Sequence, residues 1–274
     1  MMNPHVFREY DVRGVVDKDL NEEFIVNLGR SIGTYAFQHK VKTMTVGHDC
    51  RLSSEAYQRY LISGLNAAGI DTIDIGLCAT PMLYFSIRHF HAGGGVMITG
   101  SHNPPEFNGF KICIGYDSIH GPQIQELRKI IETGKYLSGR GSQQLQDVTG
   151  AYQNFILDHV KITRKLKVVL DAGNGVGGKF AVPVLEKMGC DLTCLYCDPD
   201  GRFPNHFPDP TVEDHLKDII KTVTQQGADL GIAFDGDADR IGVISDTGEI
   251  IWGDKLLLLF ARHILKDHPQ ATII

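Results

Sequence analysis

The stretch Gly93-Gly94-Gly95-Val96-Met97-Ile98 runs directly into Thr99-Gly100-Ser101-His102-Asn103-Pro104-Pro105-Glu106-Phe107-Asn108-Gly109-Phe110-Lys111. Its first part reads as an apolar, glycine-led strand. Two prolines then stiffen a loop, since each fixes its own φ and restricts the residue before it. Asn108-Gly109 is a turn dipeptide, expected to send the chain back along a second strand, Phe110-Lys111-Ile112-Cys113-Ile114. The Ser101 hydroxyl is thereby held at a strand end, with His102 beside it and Lys111 on the returning chain. That arrangement suits a nucleophile or a phosphoryl carrier. Ser, Asn, Pro and Gly are also what ordinary turns use, so the loop alone reads equally well as a hairpin with a polar tip.

A repeating order surrounds this loop. Upstream, the patterning predicts helices over 22–38, 53–68 and 81–90, with strands over 43–47 and 72–76; Ser53 caps the second helix and Gly69 ends it. After a Gly/Ser/Gln-rich stretch at 134–146 the order returns. Helices are expected over 151–160, 179–188 and 212–225, and strands over 167–170, 192–196 and 230–234. Helices alternating with apolar strands indicate α/β domains with parallel sheets covered on both faces. The expected division is a first domain over 1–147, a second over 148–250, and the start of a third over 251–274. That third unit has a helix from Asp254 to Leu265 and an apolar strand from Ala271 to Ile274, where the sequence stops as if cut. Leu256, Leu257, Leu259, Phe260 and Ile264 are expected to leave apolar surface exposed there, favouring poor solubility, self-association or packing onto the second domain.

The second domain carries its own constellation, Asp235-Gly236-Asp237-Ala238-Asp239-Arg240, between the apolar runs 230–234 and 241–244. Carboxylates at alternate positions of a tight loop can converge on one hard cation, and Mg²⁺ takes a near-octahedral set of oxygens. An EF-hand calcium loop also begins Asp-x-Asp-x-Asp. Here, however, Arg240 stands where that loop has Gly, Asp246 where it has Glu, and strands flank it instead of helices. A solvated acidic turn is the plainer alternative, but three like charges this close repel unless a cation neutralises them.

Together, the serine loop, the acidic loop and Phe7-Arg8-Glu9-Tyr10-Asp11-Val12-Arg13-Gly14 resemble the phosphohexomutase superfamily, most closely its bacterial phosphomannomutase/phosphoglucomutase branch. The resemblance runs in order along the whole chain. It implies two consecutive mixed α/β/α sandwich domains, with the sugar-selecting loop and a C-terminal phosphate-binding domain lying beyond this sequence. It also implies interconversion of hexose 1-phosphate and hexose 6-phosphate, of glucose or mannose, through a hexose 1,6-bisphosphate that doubles as activator. Ser101 would be a phosphoserine sharing one Mg²⁺ with Asp235, Asp237 and Asp239. A phosphoserine carries roughly −1.5 to −2 charge, so three aspartates beside it demand a cation. Arg13, Lys111 and Arg240 are placed to stabilise charge on the transferring group, and Lys111 or His102 to move a proton. Each also has a plain role: Arg240 in pairing with its aspartate neighbours, Lys111 as a solvated strand residue, His102 as a brace. Tyr10 and Asn103 are expected to line the site, and Lys255 to meet a substrate phosphate from the last helix. With part of the substrate cage missing, the chain could instead bind Mg²⁺ and a phosphosugar without turning over.

Two other motifs compete. Gly173-Asn174-Gly175-Val176-Gly177-Gly178, with Asp198 beyond it, matches a dinucleotide fingerprint and makes an NAD-dependent oxidoreductase the remote alternative. No constellation for hydride transfer accompanies it. Cys194 and Cys197 form a Cys-x-x-Cys on an expected strand, where that spacing sends them to opposite faces, against a zinc site. Gly47-His48-Asp49-Cys50-Arg51-Leu52-Ser53-Ser54 also resembles a family segment, but reads as a helix cap with a local Arg–Asp pair. The chain has 274 residues and a net charge of −6 with no basic run, which argues against nucleic acid. Its longest strongly apolar run, Leu256 to Ala261, is too short to span a bilayer. Six scattered cysteines read as the reduced core residues of a cytoplasmic protein.

Overall fold

The computed structural model describes residues 2–274. The first sheet is built from β1 (Val12–Val15), β2 (Thr43–His48), β3 (Asp71–Leu77), β4 (Gly94–Ile98), β5 (Phe107–Ile114), β6 (Asp117–Ser118) and β7 (Gln143–Leu145). Helices α1 (Glu22–Gln38), α2 (Ser54–Ala67), α3 (Thr80–His89) and α4 (Pro122–Thr133) cover it. Its order is β1-β5-β4-β2-β3-β7, with β6 beside β5. The second sheet, β12-β11-β10-β8-β9, takes β8 (Lys167–Asp171), β9 (Asp191–Leu195), β10 (Leu230–Phe234), β11 (Ile241–Ser245) and β12 (Ile250–Ile251). With it go α5 (Thr149–His159), α6 (Gly177–Lys187) and α7 (Lys217–Gln226), and α8 (Gly253–Asp267) follows β12.

Both sheets are mixed, not wholly parallel. In the first, β3, β2 and β4 run parallel, and β5 returns antiparallel to β4. In the second, β9, β8 and β10 run parallel, and β11 returns antiparallel to β10. The orders β3-β2-β4-β5 and β9-β8-β10-β11 are therefore equivalent. The serine loop joins β4 to β5, and the aspartate loop joins β10 to β11. The two loops occupy the same place in two copies of one architecture.

Period-two alternation on β4 fills both faces of the first sheet. Val96 and Ile98 join Ile25, Leu28 and Leu61 of α1 and α2 in one core. Met97 points the other way, among Met82 and Leu83 of α3. That second cluster also holds Val148, Val176 and Phe180, so the two domains share apolar packing.

Several local expectations are corrected. Asn108-Gly109 is not the turn: both residues lie inside β5 and pair with Gly14 and Arg13 of β1. The reversal is made instead by the segment from Ser101, whose φ is +49. Ser53 stands at the N-cap of α2, but its hydroxyl makes no cap bond; it accepts from Asn108 Nδ2 at 2.8 Å. The Gly/Ser/Gln-rich stretch contributes β7, which extends the first sheet beside β3. Residues 271–274 form no strand and pair with neither sheet. On α8, Leu256 is buried while Leu257, Leu258, Leu259, Phe260 and Ile264 are exposed. Among the described residues, no helix is long and apolar enough to cross a membrane.

Candidate active site

The two loops meet. Ser101 sits in the left-handed region, an uncommon setting for a residue with a Cβ. Its N–H donates to Thr99 Oγ1 at 2.8 Å. Its side chain is turned away from the hairpin and toward the second domain, where Ser101 Oγ donates to Asp235 Oδ2 at 2.6 Å. The approach is close enough that a Cβ on Gly236 would press into the Ser101 carbonyl oxygen.

One oxygen each from Asp235, Asp237 and Asp239 lies within 4.8 Å of the others. Asp235 Oδ1 accepts the backbone N–H groups of Asp239 at 3.0 Å and Arg240 at 2.9 Å, which ties the loop into a tight turn. Asp237 Oδ2 accepts from Lys111 Nζ at 2.6 Å and from Thr80 Oγ1 at 2.5 Å. Lys111 Nζ also reaches Asp239 Oδ2 at 2.5 Å. Burial works against the Lys111 charge, but Asp237 and Asp239 hold the ammonium above its ordinary range.

Burial, then the charges of Asp237 and Asp239, push Asp235 above the ordinary carboxylate range. Burial also opposes the charge of Asp237, yet Lys111 and the Thr80 hydroxyl hold it below the ordinary carboxylate range. Asp237 Oδ1 is buried and has no hydrogen-bond partner among the described residues. Leaving such a group unmatched costs about 1–3 kcal/mol, and more when it is charged. An all-oxygen set with one orphaned carboxylate oxygen fits a hard divalent cation.

Arg13, Lys111 and Arg240 converge with Ser101 and Tyr84 on a cavity of about 440 Å³. Tyr10 stands at its rim, 72% exposed. The acidic loop's ion pairs are made by Lys111, not by Arg240, whose side chain is left to line the cavity. Arg13 Nε donates to Asp11 Oδ2 at 3.0 Å. His102 Nδ1 lies 3.3 Å from Ser101 Oγ; burial, then Arg240, lowers its pKa and favours the neutral ring. Asn103 accepts from Arg51 Nη2 at its backbone carbonyl, at 2.6 Å, and is not among the residues lining this cavity; Lys255 lines a separate cavity with Glu249 and Trp252. Thr80, Tyr84 and Arg51 also contact these loops or line the cavity, which the loop motifs did not announce.

Residues 4–137 match the family model for phosphoglucomutase/phosphomannomutase, alpha/beta/alpha domain I, and residues 150–248 match that for domain II. This chain belongs to the phosphoglucomutase/phosphomannomutase family. It is 44% identical over 269 residues to a phosphomannomutase/phosphoglucomutase of Pseudomonas aeruginosa, covering 98% of this chain and 58% of the relative. It is 42% identical over 271 residues to a phosphoglucomutase of Neisseria gonorrhoeae, covering 98% of this chain and 59% of the relative. The crystal structure of a phosphoglucomutase/phosphomannomutase family protein from Burkholderia thailandensis superposes with a TM-score of 0.95 at 39% identity, covering 98% of this chain and 60% of that one. The chain thus spans about three fifths of the length of these relatives.

Family membership accounts for the competing motifs. In the fingerprint segment the glycines admit protein neighbours: Gly175 abuts Gly236, Gly177 abuts Phe234, and Gly178 abuts the Cys197 backbone. Asn174 Nδ2 donates to the Asp198 carbonyl at 3.0 Å, closing that loop on itself. Cys194 and Cys197 do not face opposite ways. Strand β9 ends at Leu195, Tyr196 turns at φ +52, and both cysteines line one cavity. Among the described residues, the only group of three or more potential metal ligands is the aspartate trio.

Proposed function

We propose that this chain carries the phosphoryl-transfer centre of a hexose-phosphate mutase acting on glucose or mannose phosphates. Ser101 is the phosphoryl carrier. In the forward step the bond between Ser101 Oγ and phosphorus breaks, and a substrate hydroxyl oxygen takes the phosphoryl group. The hydroxyl proton leaves to the His102 ring, whose neutral form burial and Arg240 favour; Lys111, held as an ammonium by Asp237 and Asp239, has no lone pair to accept it. The resulting hexose 1,6-bisphosphate reorients and returns its other phosphoryl group to Ser101. Arg13, Arg240 and Lys111 supply positive charge around the transferring group, and Tyr10 bounds the sugar.

Asp235, Asp237 and Asp239, with an oxygen of the Ser101 phosphoryl group, would hold Mg²⁺, which adds charge that polarises the phosphoryl oxygens. The observation that carries this reading is Ser101 Oγ at 2.6 Å from Asp235, beside the orphaned oxygen of Asp237. Exposed Leu258 and Phe260 on α8 suit self-association of the chain as it stands.

The test is intact-protein mass before and after incubation with glucose 1,6-bisphosphate and Mg²⁺, for the wild type and Ser101→Ala. Gain of one phosphoryl group by the wild type alone is expected. An unphosphorylated wild type that gains none would reduce the chain to a non-catalytic binder of metal and phosphosugar.

A further inference from the structure

Arg51, between β2 and α2, is 3% exposed and lies beneath the serine loop. Its Nη1 donates to the carbonyls of Pro104 at 2.7 Å and Phe107 at 2.9 Å. Its Nη2 donates to those of Ser101 at 2.8 Å and Asn103 at 2.6 Å. Four carbonyls of one irregular loop thus converge on a single guanidinium. Buried carbonyls outside a sheet need donors, and only a planar fork reaches four of them at once.

The guanidinium is itself fixed. Its Nε forms an ion pair with Asp49 Oδ2 at 3.2 Å, and that carboxylate accepts from Ser54 Oγ at 2.5 Å and from the Gly100 N–H at 3.3 Å. From the second domain, the Phe203 ring centroid lies 5.1 Å from the guanidinium carbon. One of the four carbonyls belongs to Ser101, the residue held in the left-handed region. The local Arg–Asp pair read from the sequence is therefore part of a larger device.

We propose that Arg51 is a positioning residue. By holding the carbonyls of 101–107 it fixes the backbone that aims Ser101 Oγ at Asp235, and it never touches substrate. The catalytic half of this inference rests on Ser101 as phosphoryl carrier; the half concerning loop order does not.

Two variants of the full chain test it. Arg51→Lys keeps the charge and loses the fork. Gly100→Ala keeps Arg51 but places a Cβ 2.5 Å from its Nε and Cζ, displacing the guanidinium. Hydrogen exchange read by mass spectrometry should show peptides spanning 100–109 exchanging about tenfold faster, with the cores of both sheets unchanged. Phosphoryl uptake from glucose 1,6-bisphosphate should fall by roughly 100-fold at saturation, with the half-saturating concentration little altered. If Arg51→Lys unfolds globally, Gly100→Ala decides. Unchanged exchange over 100–109 overturns the proposal, and so does a loosened loop that still accepts the phosphoryl group at the wild-type rate. A wild type that takes up no phosphoryl group defeats the functional reading, while the exchange data still judge whether Arg51 orders the loop.

Discussion

Lys111 concentrates the electrostatics of the site in one side chain. Its ammonium is the ion-pair partner of both Asp237 and Asp239 and reaches them across 126 and 128 residues of sequence. Asp237 is fully buried and already has one unmatched oxygen. Lys111→Met would leave that carboxylate with the Thr80 hydroxyl as its remaining side-chain donor. Removing one partner of a buried pair costs about 3–5 kcal/mol, since the other charge is left uncompensated. The Lys111→Met protein in chelator should therefore melt well below the wild type. Millimolar Mg²⁺ should restore much of the difference, because a cation then faces the same carboxylates. A variant that melts like the wild type in chelator, or that Mg²⁺ leaves unmoved, would contradict this account. Lys111, Ser101 and the aspartates were legible in the sequence because their chemistry is concentrated in two short local patterns. Thr80 and Arg51 were not. Thr80 meets Asp237 across 157 positions and Arg51 meets Ser101 across 50, so only tertiary structure brings them to the site. Thr80→Val tests the first of these contacts. It should weaken the Mg²⁺-induced rise in melting temperature, and an unchanged titration would show that the hydroxyl does not set the carboxylate.

At the scale of elements, the helices and strands that repeat the α/β order were readable from patterning, and their observed ends differ by a few residues. What patterning missed were elements defined by partners. β1 and β7 exist because β5 and β3 offer them edges, and Asn108-Gly109 became strand because β1 pairs with it. The long connection from β9 to α7 likewise takes its shape from tertiary contacts. His206 Nε2 lies 3.1 Å from Asp171 Oδ2 at the end of β8, and the Asp171 side chain is almost fully buried. Burial opposes the imidazolium, but Asp171 and the Phe207 carbonyl raise its pKa above the ordinary value. A histidine raised in the folded state binds its proton more tightly there than in the unfolded chain. Its stabilisation is complete below the unfolded pKa of about 6.5 and is lost as pH rises through the folded value. His206→Gln should therefore lower the melting temperature more at pH 5.5 than at pH 8.5. Equal losses at both would show that the pair acts as a neutral hydrogen bond.

At the scale of the whole molecule, the two domains are tightly joined. Met82, Leu83 and Met97 of the first share one buried cluster with Val148, Val176 and Phe180 of the second. The Thr80 N–H donates to the Asp237 carbonyl at 2.9 Å, and the Ser101 and Lys111 bonds cross the same boundary. The cavity opens between the domains, lined by Ser101 and Lys111 of the first and by Asp239 and Arg240 of the second. An active site split between loops of two domains needs this rigidity, because a shift of about 1 Å between nucleophile and charge partners can cost roughly 100-fold in rate. The chain should therefore unfold as one cooperative unit, with calorimetric and van't Hoff enthalpies in agreement. Phe180→Ala removes a ring that is 5% exposed within the shared cluster, and truncations of that kind cost about 3–5 kcal/mol. If the domains are coupled, that loss should lower the whole transition and not split off a second-domain step. Two resolved transitions, with only the weaker one moved by Phe180→Ala, would mean that the domains fold independently and that the site is assembled by a docking interface instead of a common core.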